Sequence, residues 1–254
     1  MSPEPHMKPL PEAAPAISDV REHYDRWNAA CRSADFDDIE PEIRERADLI
    51  LAALDAAELG RPQILEVGCG TGWLSGRLNE RGSVTGIDLS PRAIEIAQQR
   101  GVPAKFMAAD FLEADFAGQS YDAVICMETL FYVSEQEKCV ERMAGLLRPG
   151  GWFGISCINK YVYERSSDIG PPQAGQLRHW LSIADTRKLI SPWFDILSVQ
   201  TVAPRGDQGL LRLVNSHKLN TLADRALTSA RVRRLKERAG LGGGVVMIAR
   251  RRDT

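Results

Sequence analysis

The sequence predicts an α/β fold with a parallel sheet and helices on both faces, and three observations lead there. From residue 63 to residue 158, short apolar runs alternate with stretches of helical spacing. Such alternation places parallel strands side by side through crossover helices. The stretch "ILEVGCGTGWLSGRL" at 64–78 runs from apolar residues through three alternate glycines into a helix start, the form of a strand–turn–helix junction. A hard stop, "LRPGG", then separates a helical segment from the strand that follows it. The 254 residues are 44% hydrophobic and 26% charged, as in an ordinary globular protein, and one domain accommodates them.

The elements follow in order. Residues 1–16 are rich in proline and poor in large apolar side chains and read as a disordered tail; 17–254 read as a single domain. Ser18 caps a first helix on which Val20, Tyr24, Trp27 and Cys31 recur at helical spacing. Pro41 opens a second helix with Ile43, Ala47, Leu51 and Leu54 on one face, and Gly60 follows its end. Strands are predicted at 63–67, 83–87, 104–108, 121–127 and 151–158, with helices at 72–81, 91–100 and 134–148. Beyond 158 come a loop-like stretch, a capped helix in "SIADTRKLIS", a strand in "FDILSVQTVAP", two amphipathic helices over 207–240, and a last strand in "GVVMIARRR".

A net charge of -2 gives no global attraction to nucleic acid or to anionic membranes. No apolar run reaches the roughly 20 residues of a membrane span, and the N-terminus lacks the basic and apolar segments of a signal peptide. Five cysteines without a CxxC pair fit a reducing cytoplasm. The four histidines are too scattered to mark a metal site, and none is expected.

In an open parallel sheet, ligands bind beyond the carboxyl ends of the strands. Those ends deliver Glu66 and the glycines, then Asp88, then Asp110 and Phe111, then Met127 and Glu128. Carboxylates on successive tips need partners, and hydroxyls, amines or a cation on one ligand supply them. Asp88 lies about 20 residues beyond the glycines, the spacing at which a carboxylate grips a ribose diol. The glycines are not the GxGxxG of a dinucleotide site: Trp73 and Ser75 stand where a third glycine would be. Glu66, two residues before Gly68, disfavours a pyrophosphate and suits an ammonium or sulfonium group.

In order and spacing, "LEVGCGTG", "VTGIDLS", "AADF", "YDAVICMETLFYV" and "LLRPGGWFGIS" resemble class I S-adenosylmethionine-dependent methyltransferases. The likeness covers about residues 20–158 and is strongest to the small-molecule branch that includes the ubiquinone- and menaquinone-biosynthesis type. It implies a Rossmann-like seven-stranded sheet, mostly parallel with an antiparallel last strand. It implies S-adenosyl-L-methionine as cofactor and S-adenosyl-L-homocysteine as product. Glu66 then orients the methionine amino end, and Gly68, Gly70 and Gly72 let the backbone lie against it. Asp88 takes both ribose hydroxyls, Leu89 packs on the adenine, and Asp110 with the Phe111 N–H reads the adenine edge. The backbone at Met127 faces the amine, and Tyr24 closes over the carboxylate or simply packs its helix.

The resemblance also places 17–40, 159–181 and 205–241 as lid segments over the site. Nine cations against three anions in 205–241 point to an acidic small-molecule substrate or to ordinary solvated helix faces, and Leu211, Val214, Leu219, Leu222 and Leu227 there suit a lipid chain or a second subunit of a dimer. His179 is the first candidate base, with Tyr132, Glu128 and Tyr163 as alternates. This branch often carries Glu-His where the chain has Phe131–Tyr132, which weakens any role copied from it. Cys69, Cys126 and Cys157 read as small packing residues rather than nucleophiles. The motifs of DNA amino-group, nucleic-acid carbon-5 and protein-arginine methylation are absent from the sequence, so no DNA partner is expected. RNA methylation and an inert, partner-binding methyltransferase-like protein stay open.

Overall fold

Each apolar run becomes a strand: β1 Gln63–Val67, β2 Ser83–Asp88, β3 Lys105–Ala108, β4 Tyr121–Met127, β5 Leu147–Ile158, β6 Phe194–Pro204 and β7 Gly242–Arg251. The computed structural model describes residues 15–31, 39–173, 175–216, 221 and 228–253. The tail at 1–14 and much of the segment between 217 and 227, with Lys218 and Leu219, lie outside the described residues. Described helices are α1 Ile17–Cys31, α2 Pro41–Asp55, α3 Trp73–Asn79, α4 Pro91–Gln99, α5 Gln136–Leu146, α6 Lys160–Tyr163, α7 Ile183–Ile190, α8 Gly209–Val214 and α9 Ser229–Arg238.

The strands pair in the order β3-β2-β1-β4-β5-β7-β6. β1 to β5 run parallel, and β7 lies antiparallel between β5 and β6. Successive residues of a strand face opposite sides, so one run feeds two cores. Leu65, Val67, Val124, Cys126, Phe153 and Ile155 pack with Val140 and Met143 of α5, and Phe153 stacks on Phe194 at 4.2 Å. Ile64, Ala123, Ile125 and Trp152 pack on the other face with Ala47, Ile50, Leu51 and Leu54 of α2 and Leu74 and Leu78 of α3. Burial on both faces is why these strands read as continuous apolar runs rather than as alternation.

Three features differ from the sequence reading. Strand pairing begins before the "RPGG" turn, because Leu147 already pairs with Tyr121 and the register then shifts before Ala123 pairs with Trp152. The stretch after β5 holds one helical turn, α6, and an isolated bridge from Asn159 to Leu181. Of the two helices predicted over 207–240, the described parts are α8 and α9, and α9 buries no side chain; its arginines and lysine leave Leu235 55% exposed.

The strand order reverses at β1, with β2 on one side and β4 on the other. The crevice beyond their carboxyl ends is the place such a sheet offers a ligand.

Candidate active site

The loop after β1 is built by its glycines, each for a different reason. Gly68 has φ +77°, and a Cβ there would lie 2.0 Å from Thr129 Oγ1. Gly70 has φ +52° and meets nothing within 4 Å, so its open side is free for close approach. Gly72, at φ +78°, would press a Cβ to 3.0 Å from Ala97 and 3.1 Å from Phe106. That position is held to glycine by the packing of α3 against α4 and β3. Of the three, Gly70 is the one whose hydrogen faces open space.

Asp88 ends β2 and ties the loop together. Its Oδ2 accepts the Gly70 N–H at 2.8 Å, and its Oδ1 accepts the Ser90 N–H at 2.9 Å. Burial nevertheless raises its carboxyl above the usual range, against the backbone N–H groups of Ser90, Gly70 and Leu89. The charged form therefore wants further donors, which a pair of hydroxyls supplies. Glu66 is 3% exposed and accepts a hydrogen bond from Ser75 Oγ. Burial pushes it up to about 8, with the Ser75 hydrogen bond opposing and the Asp88 charge adding to the rise. A cation brought near it would restore its charge.

Leu89 follows, half-buried, and Ser90 caps α4 by accepting the Ala93 N–H at 3.1 Å. The same serine hydroxyl donates to Asp25 at 2.5 Å and accepts from Asn28 at 3.3 Å. The N-terminal helix is thereby fastened beside the Asp88 tip. At the next tip, Asp110 is half-buried and accepts the Leu112 N–H at 2.9 Å. Phe111 is buried against Phe116, with ring centroids 5.9 Å apart.

Beyond β4, Met127 is buried and its carbonyl accepts Thr129 Oγ1 at 2.9 Å. Glu128 stands at φ +54°, a strained conformation for a residue with a side chain. Its N–H donates to Ser156 O at 3.0 Å, and its Oε1 accepts the Ser156 hydroxyl and approaches Arg46 Nε at 3.0 Å. The one-turn helix Leu130–Tyr132 then brings Tyr132 to Tyr24, ring centroids 5.0 Å apart. Burial raises both phenols, Tyr132 to about 12 and Tyr24 further still. Both keep their protons at neutral pH and act as donors and walls rather than bases.

His179 is carried to the same turn: its N–H donates to Phe131 O at 2.8 Å, and its carbonyl accepts Gln136 Nε2 at 2.9 Å. Its side chain is exposed. Tyr163, on α6, is half-buried between Trp180, at 5.6 Å, and the Arg205 guanidinium, at 4.8 Å. Cys157 and Cys139 thiols are pushed up to about 12 by burial, and Cys126 and Cys69 also rise, so none is a ready nucleophile. Among the described residues, no group of three or more His, Cys, Asp or Glu could hold a metal ion. No described helix is long and apolar enough to cross a membrane.

Two of the described cations of 205–241, Arg205 and Arg233, form ion pairs. Arg205 meets Asp168, and Glu42 at 3.7 Å; Arg233 meets Glu45 at 2.5 Å and Glu237 at 2.7 Å. These bonds fasten the segment to α2 and to the loop after α6. The sequence reading missed Arg46, Ser156, Thr129, Asp25 and Asn28, each of which acts through a partner distant in sequence. A polar cleft of about 750 Å³ at the opposite ends of the strands, lined by Arg61, Asn79 and Lys105 among others, touches none of these groups.

Residues 64–151 match the family described as a methyltransferase domain. The ubiquinone biosynthesis O-methyltransferase of Chromobacterium violaceum is 38% identical over 111 residues, 41% of this chain and 47% of that relative. The chain spans about half the length of the curated relatives it matches. Among solved structures, the N-methyltransferase NodS of Bradyrhizobium japonicum WM9, in complex with S-adenosyl-L-homocysteine, has a TM-score of 0.63 at 18% identity, covering 93% of this chain and 100% of that chain. The cyclase SpnF has a TM-score of 0.64 at 20% identity, covering 94% of this chain and 98% of that chain. A methyltransferase and a cyclase on one architecture show that the fold alone does not assign a reaction. The match to the methyltransferase-domain family thus lies on residues 64–151, from β1 to the start of β5, and the likeness over the rest of the chain is one of fold.

Proposed function

We propose that the protein binds S-adenosyl-L-methionine and transfers its methyl group to a hydroxyl or amine of a small-molecule acceptor. The observation that carries this reading is Asp88: a half-buried carboxylate, raised by burial, that ties down the Gly70 N–H beside the open side of that glycine and lies near the raised carboxyl of Glu66. A phosphate ligand is disfavoured there, and a ribose with a cationic tail suits it. Asp88 would hold the ribose hydroxyls, Leu89 the adenine face, and Asp110 with the Phe111 N–H the adenine edge. Glu66 and the backbone at Met127 would attract the ammonium end, with Tyr24 beside it. The cofactor supplies a methyl already activated on a sulfonium, so alignment and exclusion of water are the main tasks left to the protein.

Of the candidate bases, Tyr132 and Tyr163 keep their protons, because burial raises both. His179 is exposed. Glu128 is the group suited to take the acceptor's proton, at Oε2. The segments 17–40, 159–181 and 205–241 are assigned as the cover over the acceptor, supported by the ties of α1 to Ser90 and of Arg205 to Tyr163 and Asp168. Four buried, free thiols fit a reducing compartment such as the cytoplasm.

Calorimetry with S-adenosyl-L-homocysteine, followed by incubation with methyl-labelled S-adenosylmethionine and a small-molecule metabolite extract, tests the reading. Saturable binding and a labelled small product are expected. Absence of binding heat would overturn it, and binding without label transfer would favour an inert binding protein.

A further inference from the structure

Arg46 is 3% exposed, on a helix whose neighbouring residues read as an ordinary charged face. Its Nε lies 3.0 Å from Glu128 Oε1, yet neither that N–H nor Nη1 is aligned on a hydrogen-bond acceptor. A buried guanidinium held this way is a poor choice for stability alone, since well-packed apolar side chains do as well or better. Two further features show that the surroundings are shaped around it. A Cβ on Gly244 would lie 2.2 Å from Arg46 Nη1, and one on Gly243 would lie 2.6 Å from Arg205 Cδ and 3.2 Å from Tyr163. The glycines that open β7 therefore make room for Arg46, Arg205 and Tyr163 together. Glu128, the partner of Arg46, is the residue held at φ +54° directly after β4.

The contacts that Ser156 and Arg46 make with the Glu128 carboxylate both fall on Oε1, and its side chain is 18% exposed. We propose that Arg46 is a positioning residue: with Ser156 it fixes Glu128 by one oxygen so that the other accepts a hydrogen bond from the O–H or N–H of the methyl acceptor. The acceptor is then a hydrogen-bond donor such as a phenol, enol or amine at the atom that receives the methyl. The nearby charges agree, because Glu128, Glu42 and Asp168 balance or exceed Arg46 and Arg205 around Tyr163. A second anion on the acceptor at this point would meet no unpaired cation among these residues.

This assignment rests on the methyl-transfer reading above, and one double-mutant cycle separates the two. Wild type, Arg46→Met, Arg46→Lys, Glu128→Gln and the double variant Arg46→Met/Glu128→Gln are compared with methyl-labelled S-adenosylmethionine and the same metabolite extract. Arg46→Met should slow label transfer about tenfold to a hundredfold at saturating extract, the loss expected of a misplaced group. Its dissociation constant for S-adenosyl-L-homocysteine should stay within about twofold of wild type, and Arg46→Lys should recover part of the rate. In the Glu128→Gln background, the Arg46 change should cost less than about twofold more, because the two act as one unit. Gly244→Ala, which pushes on Nη1, should reproduce Arg46→Met without touching the charge. Transfer by Arg46→Met at the wild-type rate, or losses that multiply in the double variant, would overturn the assignment while leaving methyl transfer standing. A wild-type protein that transfers no label overturns both.

Discussion

Glu66→Gln offers a test whose size follows from the structure. Glu66 is buried, and its carboxyl rises from 4.5 to about 8 in the folded chain. Between those values the native protein keeps a proton that the unfolded chain has given up. Stability from this group is therefore complete below about pH 4.5 and is lost as pH rises toward 8. The slope is about 1.4 kcal/mol per pH unit, so the loss from pH 5.5 to pH 7.5 is about 3 kcal/mol. Glutamine keeps a partner for Ser75 Oγ but carries no proton to lose. Urea unfolding of both proteins, without ligand, at several pH values isolates the effect, since titrating groups that do not interact with Glu66 cancel in the difference. The variant should gain on wild type steadily across that window. A stability difference that stays flat with pH would refute the raised carboxyl and, with it, the idea of a site waiting for a cation.

Other perturbations discriminate the roles within the loop and its neighbours. Asp88→Ala removes the acceptor proposed for two ribose hydroxyls and should weaken S-adenosyl-L-homocysteine binding about a hundredfold or more by calorimetry, as expected for two hydrogen bonds to a charged group. Gly70→Ala should impair binding while costing about 1–2 kcal/mol of stability, because its Cβ position is open and only its left-handed φ is strained. Gly68→Ala should cost stability as well, about 1–3 kcal/mol, since its Cβ would collide with Thr129; denaturation midpoints separate the two. Ser90→Ala removes the cap of α4 and the anchor of α1, so a loss of about 1–2 kcal/mol and faster proteolysis within 17–31 are expected.

The strands and their order of function were legible in the sequence because burial on both faces leaves an unmistakable apolar run, as in β1 and β4. The tips were legible too, since carboxylates directly after such runs are costly without a purpose. Arg46 was not. In "PEIRERADLI" it stands among charged residues of an amphipathic helix, and only the packing of α2 against β5 and β7 puts it inside. A signal for it did exist in "GLGGGVVMI", where three glycines open a strand that needs none for its turn. Gly72 carries a demand its spacing did not reveal: Ala97 and Phe106, 25 and 34 residues on, crowd the position a Cβ would take.

The position of β7 between β5 and β6 has a consequence for how the chain is made. Among the described residues β6 has its sheet partner only in β7, along registers from Phe194↔Arg251 to Pro204↔Gly242. During synthesis, β1 to β5 can assemble in sequence as each helix folds back, but β6 emerges with an unpaired edge on both sides. It stays a bare strand until residues 242–251 follow and zip against two neighbours at once. Folding of this half is thus a late, long-range step, slower than the local βα units and open to mispairing in the interval. The arginines that close β7 and follow it, Arg251 donating to Leu147 O and Arg252 donating to Asp195 at 2.9 Å, lock that step at its last moment. The part of the sheet built from β1 to β4 is therefore ready before the part whose glycines, Gly242 to Gly244, arrive with β7.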